Sequence, residues 1–461
     1  MQQIRCKVYS SFCMFVGMIA VSLLWSCCNP IVDVPEEEIP SIELYSGYSV
    51  QLTASSEVQW GSDNPSVATI SATGLVTAVG AGDTTIFTYS SNKQHKVCTV
   101  VVFPKRNILF YIATDADAGI DGDVPGKINQ IRAGWKPQQG EMFIYADRWG
   151  QGAVLMHILN TKNGEYYDVD TIDNNYGVEN SADANVFNRV IQKVTTTYPA
   201  DSYGMIFFSH ASGWLPEGAL NSPRSLVIDN GGGTRKEMTY VDFAAAIPNN
   251  KFDFIIFEAC LMADVAVMYE LRNKTKYVLV SSAEIVAPGF EYIYRENVMG
   301  LFNTAQPVDI VLKGFADAYC TTGNSWSSFT ISIVKMSEMA ALAAATKTAL
   351  KGNELSEENL SITEIQTFDR PGELISSGSR RSRYFDLGHT VENLTSASDY
   401  AAFNSQMGKT VIWKRASGSF LPAQSGFYIR HHCGLTTYIK QGVFPVLNTA
   451  YENASWYKAI Y

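Results

Sequence analysis

The sequence predicts two folded domains in series: a short all-β sandwich, then a larger α/β/α sandwich around a mostly parallel sheet. Three observations carry that reading. Residues 41–103 run as short alternating strands separated by Gly, Asn and Asp turns. From 104 to 461, continuous apolar runs alternate with amphipathic helical stretches. Such unbroken apolar strands need cover on both faces, which parallel sheets receive from their crossover helices. Two reactive side chains, His210 and Cys260, then follow two of these strands at matching places.

Bulk properties narrow the function classes. The chain has 461 residues, 46% hydrophobic and 17% charged, which is ample material for a large core. A formal net charge of -10 argues against the clustered positive charge of a nucleic-acid partner. Residues 1–27 read as a leader. Arg5 and Lys7 precede an apolar run from 12 to 25, too short to span a bilayer but suited to a signal peptide. It ends in Leu24-Trp25-Ser26-Cys27, which resembles the lipobox of bacterial lipoproteins. The resemblance implies acylation at Cys27, export, and a lipid anchor in the cell envelope at the outer membrane or cell surface. An ordinary secretory signal is the alternative. Residues 28–40, with Pro30, Pro35, Glu36, Glu37, Glu38 and Pro40, read as a solvated acidic tether.

The cysteines beyond the leader are too sparse for a disulfide scaffold. No metal site is expected. His431, His432 and Cys433 are adjacent, but neighbours on a strand point to opposite faces.

In the β domain, the stretch 60–70, then Gly74 to Gly82, then Cys98-Thr99-Val100-Val101-Val102 closely resemble group 2 bacterial immunoglobulin-like domains. That resemblance implies a spacer or an adhesive module. In the second domain, strands are expected at 107–113, 142–146, 204–208, 252–257 and 277–280. Helices are expected at 182–197, 240–247, 261–273, 308–319 and 336–350.

In open α/β sheets, ligand sites lie just beyond the carboxyl ends of the strands. Neighbouring strands would therefore bring His210 and Cys260 together. A helix starting after Cys260 would point its positive end at the thiol and favour thiolate. A nearby imidazole would serve as base or proton donor. On spacing alone, a buried structural cysteine and a structural histidine remain open.

The flanking residues go further. Phe208-Ser209-His210-Ala211-Ser212-Gly213-Trp214 and Phe257-Glu258-Ala259-Cys260-Leu261-Met262-Ala263 resemble the histidine and cysteine motifs of the clostripain family of cysteine peptidases. Ile228-Asp229-Asn230, Val280-Ser281-Ser282-Ala283-Glu284 and Cys433-Gly434-Leu435-Thr436-Thr437-Tyr438 also fit. The resemblance implies a caspase-like sandwich acting on proteins or peptides. It implies that Cys260 attacks the scissile carbonyl and that His210 moves the protons. Backbone N–H groups near Ala211 and of Cys260 would hold the oxyanion. No cofactor is required by the sequence, although the resemblance allows calcium.

Two residues depart from the family pattern: Ala211 stands where the family has Gly, and Glu258 where it has Asp. The family role of that acid implies a pocket for Arg or Lys before the scissile bond, with Glu291 as a second carboxylate. Stabilising a helix start is the alternative role for Glu258. Family maturation implies self-cleavage between His210 and Cys260, after Arg224, Arg235 or Lys236. The run Arg380-Arg381-Ser382-Arg383 reads as a solvated loop, with a further cut site as the alternative. Two other functions stay open: a catalytically inactive surface binding protein that keeps the fold, and a peptidase selective for acidic or neutral residues.

Overall fold

The computed structural model describes residues 39–54, 58–90, 93–136, 139–160, 167–177, 179–219, 227–229, 236–322, 327–370 and 381–461. The expected leader with Cys27, and Arg224, Arg235 and Arg380, lie outside the described residues.

The β domain has strands β1 (Ser41–Tyr45), β2 (Ser49–Gln51), β3 (Gln59–Ser62), β4 (Ala68–Ile70), β5 (Leu75–Ala78), β6 (Gly82–Ser90) and β7 (Lys93–Phe103). They form two sheets, ordered β1-β7-β6-β3 and β2-β5-β4. Along β7 the buried residues Cys98, Val100 and Val102 alternate with more exposed ones. They meet Val76, Ala78 and Ile86 in one core, the arrangement of a two-sheet sandwich.

The second domain opens with β8 (Arg106–Ala113), α1 (Ala118–Asp121), α2 (Val124–Gly134), β9 (Met142–Asp147), β10 (Ala153–Asn160), β11 (Tyr167–Gly177) and α3 (Ala184–Thr197). There follow β12 (Ser202–Phe208), the short pair β13 (Val227–Asp229) and β14 (Lys236–Met238), α4 (Tyr240–Ala246), β15 (Phe252–Glu258), α5 (Val265–Leu271) and β16 (Thr275–Val280). Then come α6 (Glu291–Phe302), α7 (Val308–Thr322), β17 (Thr330–Lys335), α8 (Met339–Leu350), β18 (Phe385–Asp386), α9 (Leu387–Leu394), α10 (Ala397–Thr410) and β19 (Val411–Ala416).

The main sheet has nine strands in the order β11-β10-β9-β8-β12-β15-β16-β17-β19. The five central strands, β9 to β16, are parallel, and antiparallel strands close both flanks. Side chains of the central strands alternate between two cores. Leu109, Tyr111, Met205, Phe207, Ile255 and Phe257 pack with α3, α4, α5 and α8. Ile108, Phe110, Ile112, Ile206, Phe254 and Ile256 pack with α2, α6 and α7 on the other face. Every residue of β8 and β9 is buried, as the unbroken apolar runs require. Among the described residues no helix is long and apolar enough to cross a membrane.

Two expectations are corrected. The helix after Cys260 begins at Val265, not at 261, so the thiol does not stand at its first turn. The intervening residues do not coil because their donors are taken elsewhere. Leu261 N–H bonds the Ala283 carbonyl at 3.0 Å, and Ala263 N–H bonds that of Ser281 at 3.1 Å. Asp264 then caps α5 by accepting from Ala266 N–H at 2.9 Å. The second correction concerns the 380–383 run. Arg383 is buried and pairs with the buried Asp369 at 3.4 Å, while Arg381 pairs with Glu357.

Asp264 is fully buried and also accepts from Thr436 Oγ1 at 3.3 Å. Burial pushes its carboxyl up to about 8, against the lowering effect of the Ala266 and Thr436 bonds. The folded chain therefore keeps a proton that the unfolded chain releases in the ordinary carboxylate range. This group's contribution to stability falls as pH rises through that window and levels off above about 8. Asp264→Asn removes the proton and can keep both hydrogen bonds. Urea melts at pH 5 and pH 8 should show a smaller loss of stability in the variant than in wild type. An unchanged difference would mean that Asp264 ionises normally.

Candidate active site

The strand register brings three loops together. Ile112 of β8 pairs with Phe208 of β12, and Phe208 pairs with Glu258 of β15. The three strands end level, so the residues that follow share one edge of the sheet: Asp117, His210 and Cys260. A cavity of about 260 Å³ opens there, lined by His210, Cys260, Phe208, Glu258, Asp123 and Pro288 among others.

His210 is fixed from one side. Its Nε2 lies 2.7 Å from Asp117 Oδ2. The other Asp117 oxygen accepts from Gly119 N–H at 2.6 Å, which caps α1 and holds the carboxylate in place. Burial alone would raise the Asp117 carboxyl. The bonds from His210 and Gly119, together with the positive charge available on His210, outweigh it and hold the group below its usual range. A carboxylate on one imidazole nitrogen selects the tautomer and leaves the other nitrogen to exchange protons.

Cys260 sits at the tip of a turn and is partly exposed to the cavity. The next residue, Leu261, adopts φ of 61°, a left-handed conformation that a branched side chain rarely takes. The Leu261–Ala283 hydrogen bond holds it there. Sγ lies 4.0 Å from the Ile285 carbonyl oxygen.

Gly213 joins the histidine turn to the cysteine turn. Its φ is 57°, and a Cβ there would come closer to the Leu261 carbonyl oxygen than van der Waals contact allows. On either side of it, Tyr384 Oη donates to the Ser212 carbonyl, and Trp214 Nε1 donates to that of Arg383 at 3.3 Å. Ala211 is buried and is not among the residues with left-handed φ, so alanine fits where the family has glycine.

The two expected pocket carboxylates lie in different surroundings. Glu258 lines the cavity but is not a free charge. Its Oε1 accepts from Lys127 Nζ and from Phe290 N–H, each at 2.5 Å, and its Oε2 accepts from Tyr294 Oη at 2.6 Å. Lys127 and Glu258 are both buried. Glu291 is the first residue of α6 and packs its carboxylate against Gly126; it is not one of the residues that line the cavity. Burial raises its carboxyl, against the pull of Lys127 and with the push of Asp123 and Glu258. Lys236 opens β14 and pairs with Asp183 at 2.9 Å.

Among the described residues, no group of three or more His, Cys, Asp and Glu is arranged to hold a metal ion. Away from the thiol, burial, and then Asp229, push the Asp147 carboxyl up to about 9. His432 is half-buried with Nε2 3.4 Å from Ser282 Oγ, and Cys433 Sγ accepts from Gly388 N–H at 3.2 Å, so those two side chains serve packing.

Sequence reasoning missed Asp117 and Lys127. Asp117 was within reach of the rule that found His210, since it follows the apolar strand β8. Lys127 carried no signal, because a lysine in an amphipathic helix reads as solvent-facing.

A thiol and a carboxylate-held imidazole at adjacent strand ends define a candidate thiol-dependent hydrolase site on an α/β/α sandwich. A family model described as the clostripain family matches residues 121–442, well over half of the chain, and the chain belongs to that family of cysteine proteases. A model of the bacterial Ig-like domain (group 2) matches residues 44–100. Among solved structures, the chain is similar to an inactive zymogen C11 protease from Parabacteroides distasonis. The identity is 28%, over 78% of this chain and 99% of that one, with a TM-score of 0.65. It is also similar to a secreted C11 cysteine protease from Bacteroides thetaiotaomicron in complex with an irreversible peptide inhibitor. There the identity is 27%, over 77% of this chain and 98% of that one, with a TM-score of 0.65. No curated protein sequence matches the chain.

Asp117→Asn should lower kcat by about 10- to 100-fold with little change in KM, because general acid–base transfer by a misaligned imidazole is slower. An unchanged kcat would reduce the Asp117 contact to a structural one.

Proposed function

We propose that this protein is an endopeptidase whose nucleophile is Cys260 and whose acid–base residue is His210, oriented by Asp117. The observation that carries this reading is one cavity lined by both side chains at the level ends of β12 and β15. With Nε2 donating to Asp117, His210 Nδ1 takes the thiol proton. Sγ attacks the scissile carbonyl, and the proton passes to the leaving amine. Water, deprotonated by the same nitrogen, then cleaves the thioester and frees the thiol. Backbone N–H groups of the Ala211 and Cys260 turns are the donors for the oxyanion. The clostripain-family match and the peptide-inhibitor complex of a relative support peptides as the substrate class.

The test is covalent labelling with a peptidyl acyloxymethyl ketone beside a fluorogenic peptide panel. Wild type should label and cleave, and Cys260→Ala should do neither. Equal behaviour of both proteins would remove Cys260 from the mechanism.

The leader motif supports a lipid anchor at Cys27 in the cell envelope. Self-cleavage after Arg224, Arg235 or Lys236 would need a pocket that takes a basic side chain. The pairing of Glu258 with Lys127 weighs against it, and so does the ion pair of Lys236. Intact mass of the membrane-purified chain should therefore give one uncut species beginning at Cys27 and carrying acyl mass. A two-chain product absent from Cys260→Ala would establish self-cleavage, and an unacylated chain would dismiss the anchor.

A further inference from the structure

We propose that Lys127 is the specificity-determining residue of the cavity: it occupies the cation site built around Glu258, so the enzyme cleaves after uncharged rather than basic residues. The inference rests on Cys260 and His210 being the reacting pair.

The surroundings of the Lys127 ammonium are those a substrate lysine would seek. Nζ lies 2.5 Å from Glu258 Oε1 and 2.9 Å from the Pro288 carbonyl oxygen. It lies 4.4 Å from the centroid of the Phe208 ring and 5.6 Å from that of Tyr294. A carboxylate, a carbonyl and two aromatic faces make a cation cage. Three of its parts, Glu258, Phe208 and Pro288, also line the cavity that holds Cys260 and His210. The cage thus opens towards the substrate side, while the ammonium reaches it from α2 behind.

Occupation cancels what a basic substrate would use. Lys127 and Phe290 N–H fill Oε1, and Tyr294 Oη bonds Oε2. The pair carries no net charge, so a second cation gains little Coulomb attraction and must shed its water. Lys127 cannot readily step aside. Its side chain is 1% exposed, and Glu258 would be left as an uncompensated buried charge. Room along the wall remains for an uncharged side chain, since Ile285, Val286 and Ala287 continue the lining.

The longer arm of glutamate fits this arrangement. Gly289, at φ of 68°, leaves the space that the Glu258 carboxylate fills, and a Cβ there would collide with Oε1. The acid is thus seated by backbone and by lysine together.

Two measurements test the proposal. The first uses wild type with peptides that vary only the residue before the cut. Cleavage after uncharged residues at least about tenfold faster in kcat/KM than after Arg or Lys is expected. A preference for Arg or Lys, or for Asp or Glu, overturns the proposal. The second needs no catalysis and uses Cys260→Ala as the parent, with agmatine as the guanidinium probe, read by calorimetry. The parent should not bind agmatine. Adding Lys127→Met should create binding, and further adding Glu258→Gln should abolish it, while Lys127→Arg should behave as the parent. Equal binding with and without Lys127, or none in a folded Lys127→Met protein, overturns the proposal. Failure of wild type to cleave any peptide would count against the dyad, whereas the agmatine result bears on Lys127 alone.

Discussion

The close approach of Gly213 to the Leu261 carbonyl is the contact on which the site depends. Parallel strands bring the two turns near, but a shared strand end leaves several ångströms of freedom. Without a side chain at 213, the backbone of the histidine turn can rest directly on the backbone of the cysteine turn. The histidine turn is then pinned by Tyr384 and Trp214, and the cysteine turn by Ala283. Geometry at a reacting pair must hold to a fraction of an ångström for efficient chemistry. Here main-chain contacts supply that precision, with side chains as braces.

Charge in the interior is handled by pairing. Lys127 with Glu258, Arg106 with Asp253 and Arg383 with Asp369 each bring a cation into low dielectric with its own acid. Such pairs add little net stability, yet removing one partner is costly. They are better understood as fixing geometry. Arg106 also donates to Ser202 Oγ at 2.8 Å and to the Leu301 carbonyl at 3.0 Å, which ties the start of β8 to β12 and to the end of α6. Lys127 ties α2 to the end of β15 and to Pro288.

Much of the fold was legible in the sequence, for a definite reason. Strands buried on both faces must be apolar throughout, so β8, β9, β12, β15 and β16 announce themselves. The position of His210 and Cys260 after two such strands pointed to one sheet edge before any coordinates. Legibility failed where structure depends on partners distant in the chain. The coil after Cys260 looked helical by periodicity, but carbonyls of the 281–283 segment captured its donors. Arg383 looked solvated among its basic neighbours, but Asp369 draws it inside. Lys127 carried no signal at all, because its acid arrives from β15.

The C-terminal part of the chain also closes over these turns. Tyr384 holds the histidine turn, and Thr436 N–H bonds the Ala263 carbonyl beyond Cys260 at 2.9 Å. The order of synthesis therefore matters. A ribosome that has released the thiol and the imidazole has not yet released the residues that seat them. Contacts this distant in sequence form late, after long loops have closed. A chain still being made would carry both reactive groups without their alignment, and so would a fragment cut short before residue 384. The hydrolytic machinery therefore ripens only with the final turns of the chain.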